Sequence, residues 1–316
     1  MSFSSEIKEE LSHHMGSARH CQLAELAAIT ALCGHAYRSE TGGFQLDIST
    51  ENELVVRKCF TLLKKTFNIS ADNPLENILS FKKGNLFVIS LSDDEKVRKI
   101  LQALKLLEQD ELVESHFLVN PLLVQQQCCR RAFIRGAFLA AGSVSDPKKF
   151  YHFEIVCDTP GQACQVRDIM NSFDADAKVI QRKKYFVAYV KEGTQIVDLL
   201  NVMEAYVSLM ELENVRIVKE MRNSVNRKVN CETANLNKTV SAAVKQIRDI
   251  EYIRDTVGLD SLSQGLNEMA NARLENPDMN LKDLGELLSP PVGKSGVNHR
   301  LRKISLIADD LREKSK

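Results

Sequence analysis

The sequence lacks the features that mark three common classes of protein. Its 316 residues include 8 cysteines, yet no two form a CxxC pair and no cysteine–histidine group has zinc-finger spacing. No stretch approaches the roughly 18 consecutive apolar residues that a membrane-spanning helix requires. The opening residues, MSFSSEIKEELSHH, carry acids where a secretory signal carries positive charge. These absences argue against a zinc-finger module, a membrane protein and a secreted protein, and a cytoplasmic location is expected.

The chain also has no net charge to indicate a partner. Lys plus Arg and Asp plus Glu number 42 each. Only the distribution of charge along the chain can therefore point to nucleic acid or another partner. The length and the 44% hydrophobic content are those of a globular chain with two or three domains.

The cysteines are predicted to be reduced and mostly buried thiols. Cys128 and Cys129 are adjacent on a predicted helix. Neighbouring helical side chains point about 100° apart, which is a poor geometry for binding one ion. No metal and no other cofactor is therefore expected.

The apolar pattern of the amino-terminal part occurs twice in the same order. In the first copy, residues 21–36 have helical spacing, FQLDIS alternates like a strand, and ENELVVRKCFTLLKKTF is helical again. FKKGNLFVISLS then predicts a hairpin, and DDEKVRKILQALKLL a closing helix. The second copy runs through RAFIRGAFLAAG, FYHFEIVC, PGQACQVRDIMNSF, AKVIQRKKYFVAYV and GTQIVDLLNVMEAYVSLM. Two such copies predict a pseudo-twofold fold in which helices cover each sheet.

The chain divides into four predicted segments, and the fold class is α+β. The segments are an amino-terminal helix in 1–20, a repeat domain in 21–214 with copies at 21–110 and 128–212, a basic and partly helical connector in 215–232, and an all-α domain in 233–316. Each copy has the order αββαββα.

The carboxy-terminal segment NLKDLGELLSPPVGKSGVNHRLRKI predicts a short helix, a tight joint and a second helix. Asn280 is a plausible start signal, and the prolines must end the first helix. Ser295 can cap the second helix. Its buried face is predicted from the helical spacing of Val297, Leu301, Ile304, Ala308 and Leu311.

The opposite face of this second helix has the composition of a DNA-reading surface. The predicted DNA-binding residues are Lys294, Ser295, Asn298, His299, Arg300, Arg302 and Lys303. In a helix-turn-helix the second helix enters the major groove, where Asn can read adenine, Arg can read guanine and Lys holds phosphate. An ordinary solvated basic face is the alternative. Leu306 does not fit either pattern, because it falls on the supposedly exposed side.

Three long segments, CCRRAFIRGAFLAAGSV, VRIVKEMRNSVNRKVNCETANLNKT and KSGVNHRLRKI, resemble the WhiA family of bacterial DNA-binding regulators. The resemblance covers essentially the whole chain. It implies a repeat domain with the fold of LAGLIDADG homing endonucleases and a carboxy-terminal helix-turn-helix. It also implies a sequence-specific transcriptional regulator that binds double-stranded DNA at the nucleoid. The implied processes are bacterial cell division, chromosome segregation and sporulation.

The resemblance further implies where nuclease chemistry would lie. In active endonucleases of this fold, the acid before each motif glycine binds a divalent cation that activates water. Here the glycines are Gly34 and Gly142, and the lost metal-ligand positions hold Cys33 and Ala141. Without carboxylate oxygens nothing holds Mg²⁺ there, so the chain is expected not to be an enzyme.

Further contacts with the DNA backbone are predicted outside the carboxy-terminal helix. The candidates are Lys82, Lys83, Arg182, Lys183 and Lys184 in matching hairpins, and Arg222, Arg227 and Lys228 in the connector. The hairpin residues can hold phosphates, or they can protect an edge strand from pairing, as Lys often does. Both interpretations stay open.

Two alternative functions follow from the same sequence. One is a metal-dependent DNA endonuclease that uses other carboxylates, for which Asp47, Glu154, Asp174 and Asp176 are available. The other is an interaction protein whose repeat domain docks a protein partner or a ligand. The second alternative is compatible with DNA binding by the tail.

Overall fold

The computed structural model describes residues 2–40, 42–68, 86–113 and 118–314. The chain forms two compact units, Met1–Lys219 and Glu220–Lys316. The boundary between them falls inside one helix, α8 (Tyr206–Thr256). Among the described helices, none combines the length and the apolar character needed to cross a membrane.

The first unit mixes helices with short antiparallel strands. Its helices are α1 (Phe3–His13), α2 (Arg19–Cys33), α3 (Glu53–Phe67), α4 (Asp94–Ala103), α5 (Gln127–Ala141), α6 (Pro160–Asn171) and α7 (Gly193–Met203). Its strands are β1 (Gly34–Arg38), β2 (Phe44–Thr50), β3 (Phe87–Leu91), β4 (Leu107–Glu108), β5 (Glu111–Leu112), β6 (Gly142–Val144), β7 (Phe153–Cys157), β8 (Lys178–Arg182) and β9 (Tyr185–Val190).

The strand pairing shows the predicted repeat. The first copy forms a sheet of order β1-β2-β3, and the second forms a sheet of order β6-β7-β9-β8. Gly34 pairs with Ile48 as Gly142 pairs with Ile155. Asp47 of β2 and Glu154 of β7, which precede Ile48 and Ile155, therefore occupy equivalent positions in the two sheets. The first copy's hairpin FKKGNLFVISLS is described only from Leu86 onward.

The two repeats meet where α2 packs against α5. A side chain at Gly136 would overlap the carbonyl oxygen of Glu25 and lie 3.1 Å from the Cβ of Ala28. Phe133 and Ala137 are buried beside it. The absence of a side chain at Gly136 permits this close packing of α2 and α5.

A buried ionic cluster ties α1, α2, α3, α5 and α7 together. The fully buried Glu25 of α2 lies 3.1 Å from Lys58 Nζ and 3.1 Å from Arg135 Nε. Arg135 Nη1 lies 2.8 Å from Glu204 Oε2, and His14 Nε2 lies 2.6 Å from the same oxygen. Lys58 also donates to the carbonyl of His14. Removing one partner would leave an uncompensated buried charge, so the cluster fixes these helices relative to each other.

Helix α1 is built into the repeat domain. Its apolar residues Phe3, Ile7 and Leu11 are buried in the common core. Glu10 accepts hydrogen bonds from the backbone amides of Val207 and Ser208 at 2.8 and 3.0 Å. A carboxylate at these free amides caps the amino terminus of α8 and complements its dipole.

The second unit packs the end of α8 with three further helices, α9 (Gln264–Glu275), α10 (Leu281–Glu286) and α11 (Lys294–Lys314). Ile250 and Ile253 of α8 enter its core. Residues 215–232, predicted to be a partly helical connector, are wholly helical and belong to α8. Every residue in 221–240 is exposed.

The end of α4 differs from the sequence prediction. The periodicity predicts a helix through DDEKVRKILQALKLL, but α4 stops at Ala103. Lys105 adopts a left-handed conformation (φ 58°), and the Leu106 amide donates to the Leu101 carbonyl at 2.8 Å, which is a common way to end a helix. The chain then forms the small β4–β5 hairpin, with positive φ at both turn residues.

Candidate nucleic-acid interface

The first helix of the carboxy-terminal pair begins as the sequence predicts. The side-chain oxygen of Asn280 accepts from the amides of Lys282 and Asp283 at 3.0 and 3.1 Å. Its amide nitrogen donates to the Asp283 carboxylate at 2.7 Å, so this N-cap is itself held in place. Leu284 and Leu288 are buried beneath the helix.

A glycine permits the tight joint between α10 and α11. The Val292 amide donates to the Gly285 carbonyl at 2.9 Å, which folds the joint back over α10. A side chain at Gly285 would overlap the Val292 carbonyl oxygen and lie 3.0 Å from Val297 Cγ2. Gly285 is not among the predicted functional residues. The sequence signal that could have identified it is a glycine within a short segment of helix-forming residues.

Helix α11 has the predicted phase. Val297, Leu301, Ile304 and Ala308 are buried in the core of the second unit, whereas Leu306 is 64% exposed. The prediction that Ser295 caps the helix is wrong. The helix begins at Lys294, and the Gly293 carbonyl accepts the first helical bond from Val297 at 3.1 Å, so Ser295 lies in the first turn.

The first turns of α11 present an exposed and positively charged face. Its exposed side chains are Lys294, Ser295, Asn298, His299, Arg302 and Lys303. In the described part of the chain, the ion pairs of α11 lie toward its other end. There Asp309 Oδ2 lies 3.9 Å from Lys245 Nζ, and Arg312 Nη1 lies 2.8 Å from Asp249 Oδ1. The positive charge of the first turns is therefore available to a partner.

Arg300 is engaged within the domain. It is half-buried, and its Nη1 donates to the Gly265 carbonyl of α9 at 3.2 Å. If Gly265 carried a Cβ atom, that atom would lie 3.5 Å from the guanidinium carbon of Arg300. We therefore assign Arg300 to the packing of α11 on α9 and leave it out of the proposed DNA-contacting residues.

The predicted connector residues Arg222, Arg227 and Lys228 are all exposed on α8. At 100° per residue, Arg227 and Lys228 point about 140° and 240° away from Arg222 around the helix. The three side chains therefore leave α8 in different directions, and their contact with DNA stays a prediction.

The predicted hairpin residues of the second repeat differ in their contacts. Arg182 pairs with Glu154 at 2.7 Å, whereas Lys183 and Lys184 are exposed at the turn between β8 and β9. Lys183 occupies that turn with a positive φ of 54°. The predicted contacts Lys82 and Lys83 lie outside the described residues.

The two residues predicted to occupy lost metal-ligand positions, Cys33 and Ala141, line a cavity together with a lysine. Cys33 ends α2, Ala141 ends α5, and Lys8 of α1 lines the same cavity of about 940 Å³. Burial lowers the pKa of Lys8, and burial raises the pKa of the Cys33 thiol to about 11. A side chain that can carry positive charge thus lies near the carboxy-terminal ends of α2 and α5.

Three carboxylates of the endonuclease alternative, those of Asp47, Asp176 and Glu154, contact other side chains. Asp47 accepts from the Tyr37 hydroxyl at 3.3 Å, and Asp176 lies 3.3 Å from Lys178. Glu154 accepts from His152 and Arg182 at 2.8 and 2.7 Å. Among the described residues, none of the predicted carboxylates belongs to a group that could hold a metal ion.

The structure corrects the prediction for the adjacent cysteines. The sulfur atoms of Cys128 and Cys129 lie close together, and the Cys21 sulfur and an imidazole nitrogen of His20 lie beside them. Helical side chains tilt toward the amino terminus, so adjacent residues in a first turn can reach one point beyond the helix end. A pattern common to both repeats could have revealed the group, because Cys21 precedes Gly34 by the same interval as Cys129 precedes Gly142.

These observations define a class of protein: a duplicated, endonuclease-like α+β domain followed by a helix-turn-helix domain. Family models match in three consecutive parts. The WhiA N-terminal LAGLIDADG-like domain matches residues 19–107, the WhiA LAGLIDADG-like domain matches 130–222, and the WhiA C-terminal HTH domain matches 225–308. The chain belongs to the WhiA family.

Individual relatives agree with this assignment. The chain is 55% identical over 313 residues to the probable cell division protein WhiA of Lachnoclostridium phytofermentans, covering 99% of this chain and 100% of that protein. It is 54% identical to the protein of the same name in Lachnospira eligens, covering 99% and 98%. The crystal structure of full-length WhiA from Thermotoga maritima matches 98% of this chain and 99% of its own, with a TM-score of 0.59 and 24% identity. That match bears on the fold alone.

Proposed function

We propose that this protein is a sequence-specific DNA-binding transcriptional regulator that reads double-stranded DNA through α11. The observation that supports this proposal is the exposed face on the first turns of α11, which has no acidic residue. A tight joint connects this helix to the short helix α10 before it. A recognition helix needs this arrangement, because its first turns must enter the major groove while the preceding helix crosses the backbone.

The exposed side chains suit separate tasks on DNA. Asn298 and Arg302 are one helical turn apart and can each form paired hydrogen bonds with a base edge. Lys294 and Lys303 suit phosphates on either side, which contribute affinity and register rather than sequence preference. Ser295 and His299 lie beside them as further polar contacts.

The process that this regulator serves is inferred from its family. The curated relatives are named probable cell division proteins. We place the present chain in the control of cell division, with chromosome segregation and sporulation as associated processes, acting at the nucleoid. An exposed DNA-reading helix supports a regulatory rather than a mechanical part in division.

The proposed regulator is not a nuclease. Neither position preceding the motif glycines has a carboxylate, and Lys8 shares the cavity with Cys33 and Ala141. A lysine ammonium repels a divalent cation, whereas the endonuclease mechanism needs hard oxygen ligands to bind one. Incubation of the full chain with plasmid DNA and Mg²⁺ or Mn²⁺ is therefore expected to give no nicking. Metal-dependent nicking that Glu154→Gln abolishes would contradict this proposal.

Fluorescence anisotropy with the full chain tests DNA reading. A preferred site is first selected from random duplexes and then titrated with the protein and its variants. Arg302→Ala should weaken binding to that site by about 1–3 kcal/mol and should relax the preference at one base position. The matched control is Lys314→Ala, an exposed basic residue in the last turn of the same helix. Equal losses in the two variants would contradict the assignment of the reading face.

A further inference from the structure

Four potential metal ligands converge at the amino-terminal ends of α2 and α5. His20 and Cys21 come from α2, and Cys128 and Cys129 come from α5. Their ligand atoms, one from each residue, all lie within 4.8 Å of one another. His20 Nδ1 lies 3.1 Å from Cys129 Sγ and 3.4 Å from Cys21 Sγ. In the described part of the chain, this is the group of histidine, cysteine and acidic side chains that could hold one ion.

The spacing of these atoms fits a single tetrahedral ion. With zinc–sulfur bonds of about 2.3 Å and zinc–nitrogen bonds of about 2.0 Å, tetrahedral geometry separates two sulfurs by about 3.8 Å and a nitrogen from a sulfur by about 3.5 Å. The two nitrogen–sulfur distances of 3.1 and 3.4 Å lie close to the second value. An iron–sulfur cluster spreads its thiolates over several iron atoms, and the group is too compact for that.

The symmetry of the repeat accounts for the convergence. His20 and Cys21 are the second and third residues of α2, and Cys128 and Cys129 are the second and third residues of α5. Each repeat thus contributes the same two positions of its motif helix. Because α2 and α5 pack against each other, the two pairs face a common point next to the buried alanines Ala24 and Ala132.

The ends of both helices favour negative charge at this point. Neither α2 nor α5 has a side-chain N-cap hydrogen bond, and neither has an acid in its first turn. Their free backbone amides and helix dipoles therefore remain available to the ligands. Three thiolates, one neutral imidazole and Zn²⁺ carry a net charge of −1, which these two positive helix ends stabilise.

Cysteine binds a metal ion as the thiolate, so a bound ion would displace the thiol protons into solvent. His20 and Cys128 are exposed, so an ion can reach the group without unfolding the helices.

We propose that His20, Cys21, Cys128 and Cys129 bind one zinc ion that joins the two repeats. Four protein ligands leave no open position for a substrate, which is typical of a structural site. The site also lies at the far end of both helices from Cys33 and Ala141, about 20 Å away at 1.5 Å per residue. The ion therefore clamps the two repeats together and takes no part in nuclease chemistry.

Cobalt(II) titration of the full chain, purified metal-free and reduced, tests the proposal. Tetrahedral cobalt bound by thiolates gives near-ultraviolet charge-transfer and strong visible bands, which should saturate at one equivalent and disappear when one equivalent of zinc is added. Zinc should also raise the unfolding temperature of the full chain, because it binds only the folded state. Absence of these bands from the reduced protein would overturn the proposal.

Matched cysteine variants locate the site. Cys128→Ser changes an exposed thiol and should weaken cobalt and zinc binding by more than about 100-fold, since even loss of a supporting contact to a ligand costs about 10–100-fold. Cys231→Ser changes an exposed thiol on α8 and should bind both metals like the unaltered chain. Equal binding by the two variants would overturn the assignment. The cobalt bands of the unaltered protein decide the question even if Cys128→Ser folds poorly.

Discussion

Single residues decide how closely the helices of this protein approach each other. At Gly136 the backbone of α2 occupies the space of a side chain, and at Gly285 the backbone of the α10–α11 joint does so. In each case the obstacle is a carbonyl oxygen, which cannot rotate away as a side chain can. The first glycine lies on a long apolar helix face, which is a pattern that a sequence can reveal. The second close approach is harder to predict, because the partner backbone belongs to an irregular joint.

Gly136→Ala should destabilise the repeat domain. The new methyl group would overlap the Glu25 carbonyl and push α2 and α5 apart, at a cost of about 1–3 kcal/mol. Urea unfolding followed by circular dichroism measures the change. Gly161→Ala in α6 is the control, since its nearest neighbour is a Leu118 methyl group at an ordinary 3.5 Å. The control should be neutral or slightly stabilising, because alanine restricts the unfolded chain. A similar loss in both variants would contradict the packing argument.

His14 should make the stability of the protein depend on pH. Burial lowers the pKa of His14, and the neighbouring Arg135 charge lowers it further. The unfolded chain then binds a proton near the ordinary value of 6.5, whereas the folded chain resists it. The contribution to stability is therefore complete above pH 6.5 and is lost as the pH falls below that value through the folded pKa.

Thermal unfolding measured across this pH range checks the prediction. His14→Asn should flatten the dependence, because the variant side chain does not titrate. His13→Asn, at an exposed position next to it, should keep the dependence of the unaltered chain. A slope that persists in His14→Asn would show that other groups cause it.

At the scale of elements, helical periodicity predicted the buried face of α11 but not the contact that Arg300 makes with α9. The spacing of Val297, Leu301 and Ile304 defines a buried face, and all three are buried. The same periodicity placed Arg300 at the edge of the exposed face. Its long side chain instead reaches back to the Gly265 carbonyl of α9. Sequence spacing gives the direction in which a side chain leaves its helix, but an arginine can bend toward an acceptor on a neighbouring element.

Gly285→Ala should disrupt the helix-turn-helix although alanine is the better helix former. Propensity favours alanine by about 1 kcal/mol, but the added methyl group would overlap the Val292 carbonyl and lie 3.0 Å from Val297. The joint must open, which displaces α11, so DNA affinity should fall at least about tenfold while the repeat domain stays folded. Anisotropy on the preferred site measures the affinity. Gly293→Ser in the same joint has open space around it and should bind like the unaltered protein.

At the scale of the whole molecule, the repeat order could be predicted from the sequence, but what lies between the repeats could not. Alternating and helical patterns are local, and they identified both copies. The ionic cluster around Glu25 and the group around His20 and Cys129 each join residues from distant elements. Their partners become neighbours only when α2 and α5 pack together. Single-sequence periodicity carries no information about that distance. The equal intervals from Cys21 to Gly34 and from Cys129 to Gly142 point to the cysteine group, but the ionic cluster follows from the folded structure.

The remaining question at this scale is whether the repeat domain also contacts DNA, and Lys183 and Lys184 offer the test. Both are exposed at the β8–β9 turn, while the adjacent Arg182 is held by Glu154. We expect them to bind phosphates, so the double variant Lys183→Ala/Lys184→Ala of the full chain should reduce the slope of log affinity against log salt by about 2. Sequence preference should not change, because phosphate contacts carry little sequence information.

The matched control is Lys148→Ala/Lys149→Ala, at exposed lysines of the same repeat, and it should keep the original slope. An unchanged slope in the hairpin variant would instead assign these lysines to the protection of β8, the edge strand of its sheet.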